Sequence, residues 1–435
     1  MPKPMRGEDA ATLSRPFQPY RLPITATSRD LANAIGDLIE DAEDRGRGRK
    51  AADRVTFRAT VAALVSDLAY RQRETGGEEV ANADGLMVPA GLRLSMSRGT
   101  LGCKSSRYTP TWLGKTLRDV VKLMALPGVD LVTVELGAWG TDHGKGTLSI
   151  VRPGQALIER FEGLTFADLG LCPTQEIVML RAPDASFWDR GKLVDYDDDK
   201  TTMALRSEVR TINEALALAD VTFVADHPGT ERVDTSLRRL RRCFNRSSFA
   251  SGGRLFGGFW QSMTREERHS IRIDSGEVAT LDYGQIGPRL LYALAKAEPP
   301  AGHLYALPLI GGEHRDGVKM LLAAATFATK RMKAWPEGCA RLFPEGSTLR
   351  AMLTAIELGH RPITPLLYKG IGHQTMRTES DILVTVLLRL IDQGITALPI
   401  HDAVIVARPH VEAAERVMTG TFREFTGLEI PVTRE

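Results

Sequence analysis

The segment that most constrains the fold is residues 395–407, whose pattern predicts a β-hairpin. Two short apolar runs rich in β-branched residues, 395–398 and 404–407, flank a turn that carries His401 and Asp402. Short β-branched runs on both sides of a polar turn are typical of paired antiparallel strands. An Asp in a turn commonly does no more than hydrogen-bond its own backbone. Asp402 therefore gains chemical meaning only if a second carboxylate lies beside it.

A second carboxylate with similar surroundings lies upstream. The apolar run 278–281 ends on Asp282, a turn containing Gly284 follows, and residues 290–295 have a helical pattern. This order places Asp282 at the carboxyl end of a strand. If that strand pairs beside the hairpin, Asp282 and Asp402 can share two Mg²⁺ ions, which lie about 3.5–4 Å apart in enzymes that transfer phosphoryl groups. Mg²⁺ needs few protein carboxylates, because phosphates and water complete its shell.

A helical pattern between the two carboxylates carries cations and an aromatic residue. Arg315 and Lys319 are four residues apart, and Phe327 follows eight residues after Lys319, so the three share one helix face. Such a face can hold a triphosphate at one end and stack a base at the other. The alternative is an amphipathic core helix with a basic start.

Two further segments suit contact with nucleic acid. Residues 237–246 are dense in arginine, including Arg241 and Arg242, and we predict a helix whose cations follow a phosphate backbone. A solvent-exposed face with ion pairs is the alternative. The Gly-rich stretch 251–258 carries Arg254, and glycines let a backbone approach a ligand closely, while Arg suits phosphate.

The N-terminal part has a different organisation. Residues 27–75 are predicted helical, and a helix over 111–124 precedes strands over 131–136 and 147–151, with a Gly-rich loop between the strands. Helix, strand, loop and strand is the order of a winged-helix module. Many α+β domains also contain a hairpin after a helix, so the wing is one of two interpretations.

Composition sets only outer limits. The chain has 435 residues, 43% hydrophobic content and a net charge of +2, so its overall charge does not indicate a nucleic-acid binder. The four cysteines form no CxxC pair, which argues against a zinc ribbon. No apolar run approaches the roughly 20 residues that span a bilayer. We expect a cytoplasmic protein with no membrane partner.

Taken in order, these segments resemble the palm and fingers of family A DNA polymerases and of the related phage-type single-subunit RNA polymerases. Residues 282–289, D-Y-G-Q-I-G-P-R, resemble the family's motif A, D-Y-S-Q-I-E-L-R, at Asp, Tyr, Gln, Ile and Arg. The spacing of Arg315, Lys319 and Phe327 is similar to motif B, and 400–402 resembles the H-D turn of motif C. Residues 253–255 resemble the T-G-R-L segment that contacts primer-template.

The resemblance implies a fold class and a division of the chain. The fold would be α+β, a right-hand polymerase palm of antiparallel sheet and helices with helical fingers, after an α/β N-terminal region. We expect a poorly ordered tail at 1–26, a helical, winged-helix-like domain at 27–165, a thumb-like or connecting region at 166–250, and palm and fingers at 251–435. A monomer is expected.

The resemblance also implies roles for individual residues. Asp282 and Asp402 would hold two Mg²⁺ ions, with Mn²⁺ as an alternative, helped by the backbone carbonyl of Tyr283. Arg315 and Lys319 would bind the nucleoside triphosphate, and Phe327 would pack near the nascent base pair. The residues that would contact a DNA template-primer are Arg254, Arg289, His401, Gln374, Arg241 and Arg242.

Departures from the family's pattern concern the choice of sugar. Gly287 stands where the DNA polymerases carry a Glu that excludes the 2′-hydroxyl, and the single-subunit RNA polymerases also have Gly there. Phe327 replaces a Tyr, and Ala403 replaces an acidic residue. We therefore expect relaxed sugar selection.

Two classes of function follow from these observations. The first is a template-directed nucleotidyltransferase, a DNA polymerase or an RNA-polymerase or primase-like enzyme, serving replication of a phage, plasmid or other mobile element. The second is a non-catalytic DNA-binding replication protein that retains the palm as a scaffold.

Overall fold

The computed structural model describes residues 14–43, 48–81, 86–102, 106–137, 147–183, 191–224, 233–307 and 309–435. These residues form two compact units. The first contains the described residues up to Glu176 together with 233–236, and the second contains residues 177–224 and those from Leu237 onward.

The first unit combines helices with short strands. Its helices are α1 (Ala26–Asp41), α2 (Ala51–Glu74), α3 (Arg98–Leu101), α4 (Thr116–Met124) and α5 (Gln155–Arg160). Its strands are β1 (Ser14–Pro16), β2 (Arg21–Pro23), β3 (Glu79–Ala81), β4 (Met87–Pro89), β5 (Gly91–Leu94), β6 (Val132–Glu135), β7 (Ser149–Pro153) and β8 (Leu169–Leu171).

The core of the first unit is built on α2. Phe57, Val61, Leu64 and Leu68 recur at helical spacing on this helix and are each 1% exposed or less. The predicted helical character of 27–75 is confirmed by α1 and α2.

The helix, strand and strand order predicted for a wing is present. After α4, strands β6 and β7 pair antiparallel, while the Gly-rich loop lies largely outside the described residues. Strand β7 also pairs with β5, giving a four-stranded sheet in the order β1-β5-β7-β6. The hairpin is thus part of a larger sheet, and the winged-helix assignment stays a prediction.

The second unit carries the segments with candidate chemistry. Its helices are α6 (Lys200–Leu218), α7 (Arg265–Arg268), α8 (Ile286–Leu294), α9 (Arg315–Phe327), α10 (Leu349–Gly359), α11 (Gly372–Asp392) and α12 (Val411–Thr426). Its strands are β9 (Val178–Leu180), β10 (Val221–Phe223), β11 (Arg241–Asn245), β12 (Ser248–Phe256), β13 (Ile271–Ile273), β14 (Gly276–Tyr283), β15 (Ala397–Ile400), β16 (Ala403–Ala407) and β17 (Val432–Arg434).

The main sheet of the second unit is antiparallel. Its strands run in the order β10-β13-β14-β16-β15, and β17 also pairs with β14. The predicted hairpin is confirmed, because β15 and β16 pair with Ile400 opposite Ala403 and leave His401 and Asp402 as a two-residue turn. All five residues of β16 are buried, which explains the unbroken apolar run. The second unit is thus an α+β arrangement of antiparallel sheet and helices.

The tip of the hairpin is fixed from outside. The side chain of Trp260, fully buried, donates from Nε1 to the Pro399 carbonyl at 2.8 Å, and Gln261 donates to the same oxygen at 3.0 Å. His401 adopts a left-handed backbone with φ of 54°, which lets a two-residue turn close. These contacts hold Asp402 at a defined place on the sheet edge.

The helix predicted for 237–246 is wrong, because residues 241–245 form β11. The strand pairs with β12 and β9, and burial alternates along it. Arg242 points inward, where it is 1% exposed and pairs with Glu208 and Asp381. Its guanidinium therefore joins α6, α11 and β12 internally and presents no charge to a phosphate backbone in this structure.

Candidate active site

Two carboxylates meet where β14 and β16 pair. Asp282 lies opposite Ala403 in the register, so it lies beside Asp402 at the hairpin turn. The Oδ1 atom of Asp282 is buried and has no hydrogen-bond partner among the described residues. Burial, then the charges of Asp402 and Glu435, raise the pKa of Asp282 to about 6, and Lys319 acts in the opposite direction. The site therefore carries an excess of negative charge where the two carboxylates meet.

Both carboxylates line a cavity of about 490 Å³. The same cavity contains most of the side chains that the sequence assigned to metal and nucleotide. The predicted residues that line it are Asp282, Asp402, Tyr283, Gly287, Arg315, Lys319, Phe327 and Arg254.

Helix α9 supplies the cationic wall. Arg315 is 47% exposed, and its Nε donates to His303 Nε2 at 2.9 Å. Lys319 is exposed one turn further along and lowers the pKa of Asp282, which places its charge toward the carboxylates. These cations lie where the phosphates of a bound nucleotide would need neutralisation.

Phe327 forms the opposite end of the same wall. The ring is 40% exposed and meets His373 edge-on, with centroids 5.0 Å apart. At Gly372, an added Cβ would lie 2.6 Å from the Phe327 ring, so only a glycine at that position allows this ring orientation. An exposed, positioned aromatic face is suited to stacking on a base.

A third carboxylate lines the cavity, and sequence reasoning missed it. Glu379 on α11 is 7% exposed and pairs with Arg254 of β12, with Nη2 and Oε1 2.6 Å apart. Burial raises the pKa of Glu379 to about 7, although Arg254 opposes that shift. Nothing in the sequence indicated this contact, because a lone Glu within an apolar helical pattern indicates nothing about strands that lie roughly one hundred residues earlier in the chain.

Gly287 lies in the first turn of α8 and lines the cavity. It is exposed, and the nearest atom to a Cβ built there is the hydroxyl oxygen of Tyr305, at 4.0 Å. The space expected at this position is present. Tyr305 and His303, both in the segment between α8 and α9, line the cavity and were also missed by sequence reasoning.

The remaining predicted contacts lie outside the cavity lining. Arg289 donates to the Glu429 carbonyl at 3.0 Å, and Arg241 lies on β11 beside the buried Arg242. Gln374 is exposed, and its helix instead turns Thr375, Met376 and Glu379 toward the cavity. His401 is exposed at the hairpin turn, its ring edge-on to Phe256 with centroids 6.3 Å apart. The structure does not test contact of these residues with nucleic acid.

The donor set limits what ion the site can hold. Among the described residues, no group of three or more His, Cys, Asp or Glu side chains is arranged to hold a metal. Two carboxylates without histidine or thiolate suit a hard cation that takes the rest of its shell from phosphates and water. The unpartnered Oδ1 of Asp282 fits that chemistry.

Comparison with known proteins adds little to this geometry. No family model and no curated protein matches the chain. One similar solved structure is the POL domain of Pol1 from M. smegmatis in complex with DNA primer-template and dNTP. Sequence identity is 11% and the TM-score is 0.27, over 95% of this chain and 66% of that chain. This score is too low to establish a shared fold, so the assignments rest on the cavity itself.

No helix within the described residues is both long enough and apolar enough to cross a membrane.

Proposed function

We propose that this chain is a template-directed nucleotidyltransferase of the family A polymerase type, which adds nucleotides to the 3′ end of a nucleic acid with relaxed sugar selection. One observation carries the proposal. The pairing of β14 with β16 brings Asp282 beside Asp402 in a cavity that also contains Arg315 and Lys319.

Asp282 and Asp402 would hold divalent cations, Mg²⁺ or alternatively Mn²⁺. The excess negative charge at the two carboxylates, with one buried oxygen unpartnered, is what such cations neutralise. When bound, the ions would stabilise the attacking and leaving oxygens of an in-line phosphoryl displacement.

The chain's own residues would position the substrates. Lys319 and Arg315 would hold the triphosphate and balance the charge that develops on the leaving pyrophosphate. Phe327 would stack on the incoming base, and Gly287 leaves room for either sugar. Arg254, held by Glu379, lies on the wall where primer-template would enter.

A primer-extension assay tests the proposal. Wild-type protein is given a DNA primer-template, Mg²⁺, and dNTPs or rNTPs in parallel reactions, beside the variants Asp282→Ala and Asp402→Ala. We expect extension by the wild type and a loss of about 10³-fold or more in each variant, since each removes a ligand of the charge-stabilising ions.

The matched control is Asp392→Ala, an exposed carboxylate at the end of α11 that lies outside the cavity lining. This variant should extend primers like the wild type. Equal extension by all four proteins would indicate a contaminating polymerase, and no extension by any would favour a DNA-binding protein with an inactive palm. Rejection of rNTPs by several orders of magnitude would disprove the relaxed sugar choice alone.

A further inference from the structure

Tyr305 occupies the place in the cavity that faces Gly287. Its hydroxyl oxygen lies 4.0 Å from the position of a Cβ on Gly287, and among the described residues it is the nearest atom outside the adjoining residues and backbone of the helix itself. The side chain is 7% exposed and lines the cavity. The space that Gly287 leaves is thus bordered by one polar group, a phenol hydroxyl.

The backbone next to Tyr305 is held from two sides. The Leu304 N–H donates to Gln285 Oε1 at 2.6 Å, and the Leu304 carbonyl lies 2.9 Å from His360 Nε2. His360 is fully buried, and its Nδ1 lies 3.0 Å from the Tyr292 hydroxyl. A side chain on so constrained a backbone has little freedom to move away from a ligand.

Tyr305 is also connected to the proposed triphosphate site. Its N–H donates to His303 Nδ1 at 3.3 Å, and His303 Nε2 accepts from Arg315 Nε at 2.9 Å. The charges of Asp402 and Arg315 both act on the Tyr305 phenol. The phenol therefore lines the same cavity as the carboxylates and the cations and is within electrostatic range of Asp402 and Arg315. A nucleotide with its phosphates on α9 would bring its sugar into this cavity.

The Tyr305 hydroxyl is suited to donate a hydrogen bond. The side chain is buried, while its hydroxyl borders the cavity beside Gly287. Burial raises the pKa of Tyr305 to about 12, so the phenol keeps its proton at neutral pH. A phenol that keeps its proton can donate a hydrogen bond to a substrate hydroxyl that enters the cavity.

We propose that Tyr305 reads the sugar, its hydroxyl donating a hydrogen bond to the 2′-hydroxyl of an incoming ribonucleotide across the space that Gly287 leaves open. This inference rests on the proposed nucleotidyltransferase function. A site that hydrogen-bonds a substrate hydroxyl disfavours the analogue that lacks it. Tyr305 would thus favour ribonucleotides, while Gly287 only permits them.

The test is Tyr305→Phe, which removes the hydroxyl and keeps the ring. Steady-state extension of one primer-template is measured with a single rNTP and the matching dNTP. We expect kcat/KM for the rNTP to fall about tenfold and that for the dNTP to change less than about twofold. Equilibrium titration of ATP and dATP onto the enzyme with a 3′-dideoxy-terminated primer-template should show the same selective loss, independently of the chemical step.

The matched control is Tyr368→Phe. Its hydroxyl donates to Glu357 at 2.8 Å and lies outside the cavity lining, so the ratio of rNTP to dNTP use should equal that of the wild type. An unchanged ratio in Tyr305→Phe, with the wild type active, would overturn the sugar-reading role and leave the polymerase proposal standing. Improved rNTP use by Tyr305→Phe would also overturn it, because the phenol would then act as a barrier. A wild type that extends no primer would end both proposals.

Discussion

Two aspartates, a fully buried one in the first compact unit and a half-buried one in the second, have opposite surroundings. Asp67 of α2 is fully buried, and Arg15 and Arg21 both pair with its carboxylate, at 2.6 and 3.3 Å. The Gln18 N–H donates to it as well, at 2.8 Å. Asp282 of β14 has a second carboxylate beside it and a buried oxygen with no partner among the described residues.

The difference separates a structural carboxylate from a candidate functional one. Asp67 has its charge matched by the fold itself, so its ion pairs join β1 and β2 to α2. Among the described residues, the exposed Lys319 and a backbone hydrogen bond from Tyr283 favour the charged form of Asp282, and burial, Asp402 and Glu435 oppose it. A buried charge left uncompensated costs stability and is retained where a ligand compensates it.

The largest difference in stability is expected when each of the two aspartates is replaced by Asn. Asp67→Asn leaves two arginines near a neutral amide, so we expect the free energy of unfolding to fall by about 3–5 kcal/mol. Asp282→Asn removes a charge that the fold disfavours, so its stability in EDTA should equal or exceed that of the wild type. Urea unfolding at pH 7.5, followed by circular dichroism, measures both.

The comparison would fail if Asp282→Asn were as unstable as Asp67→Asn, since Asp282 would then be a structural residue. Asp392→Asn, an exposed carboxylate, provides the baseline for both.

Local sequence patterns were sufficient to predict the edge of the sheet that carries the candidate site. Two β-branched apolar runs and a polar turn identify β15 and β16, and the run ending on Asp282 identifies β14. Pairing of the strand that ends on Asp282 with the hairpin was the condition for a shared site, and the register shows that β14 pairs with β16. Spacing along a helix likewise placed Arg315, Lys319 and Phe327 on the cavity wall.

The same sequence patterns could not predict the contacts that form only through tertiary packing. Arg242 was assigned to a helix surface because clustered arginines usually face solvent, but partners on α6 and α11 make it a buried cross-link. Glu379 and Tyr305 reach the cavity only because α11 and the segment before α9 fold back onto β14 and α8. No periodicity within either segment indicates that approach.

Glu379 adds a third carboxylate to the comparison. It is buried, and Arg254 balances its charge only in part. Its pKa is raised to about 7 from 4.5, chiefly by burial, so the folded state holds a proton that the unfolded state releases. Stability from this group is therefore present at low pH and is lost as pH rises from about 4.5 to about 7. We expect the wild type in EDTA to lose roughly 2 kcal/mol relative to Glu379→Gln across this range.

Urea unfolding at several pH values measures that difference. The control is Glu424→Gln, whose parent carboxylate is exposed and has its pKa lowered by Arg389, so any pH effect should be small and of opposite sign. A difference between wild type and Glu379→Gln that stays constant with pH would show that Arg254 fully compensates Glu379.

The smallest effect is expected at Gly287, and Gly317 on another helix shows the contrast between open and filled space. At Gly317 of α9, an added Cβ would lie 2.8 Å from the Phe343 ring and 3.1 Å from the Leu342 carbonyl. Gly317→Ala should therefore lower the free energy of unfolding by about 1–3 kcal/mol.

At Gly287 of α8, the Cβ would meet only the Tyr305 hydroxyl, at 4.0 Å. Gly287→Ala should raise stability by up to about 1 kcal/mol, because Ala favours a helix over Gly. Thermal unfolding of both variants measures the contrast, and a destabilised Gly287→Ala would mean that the space assigned to the sugar is already filled.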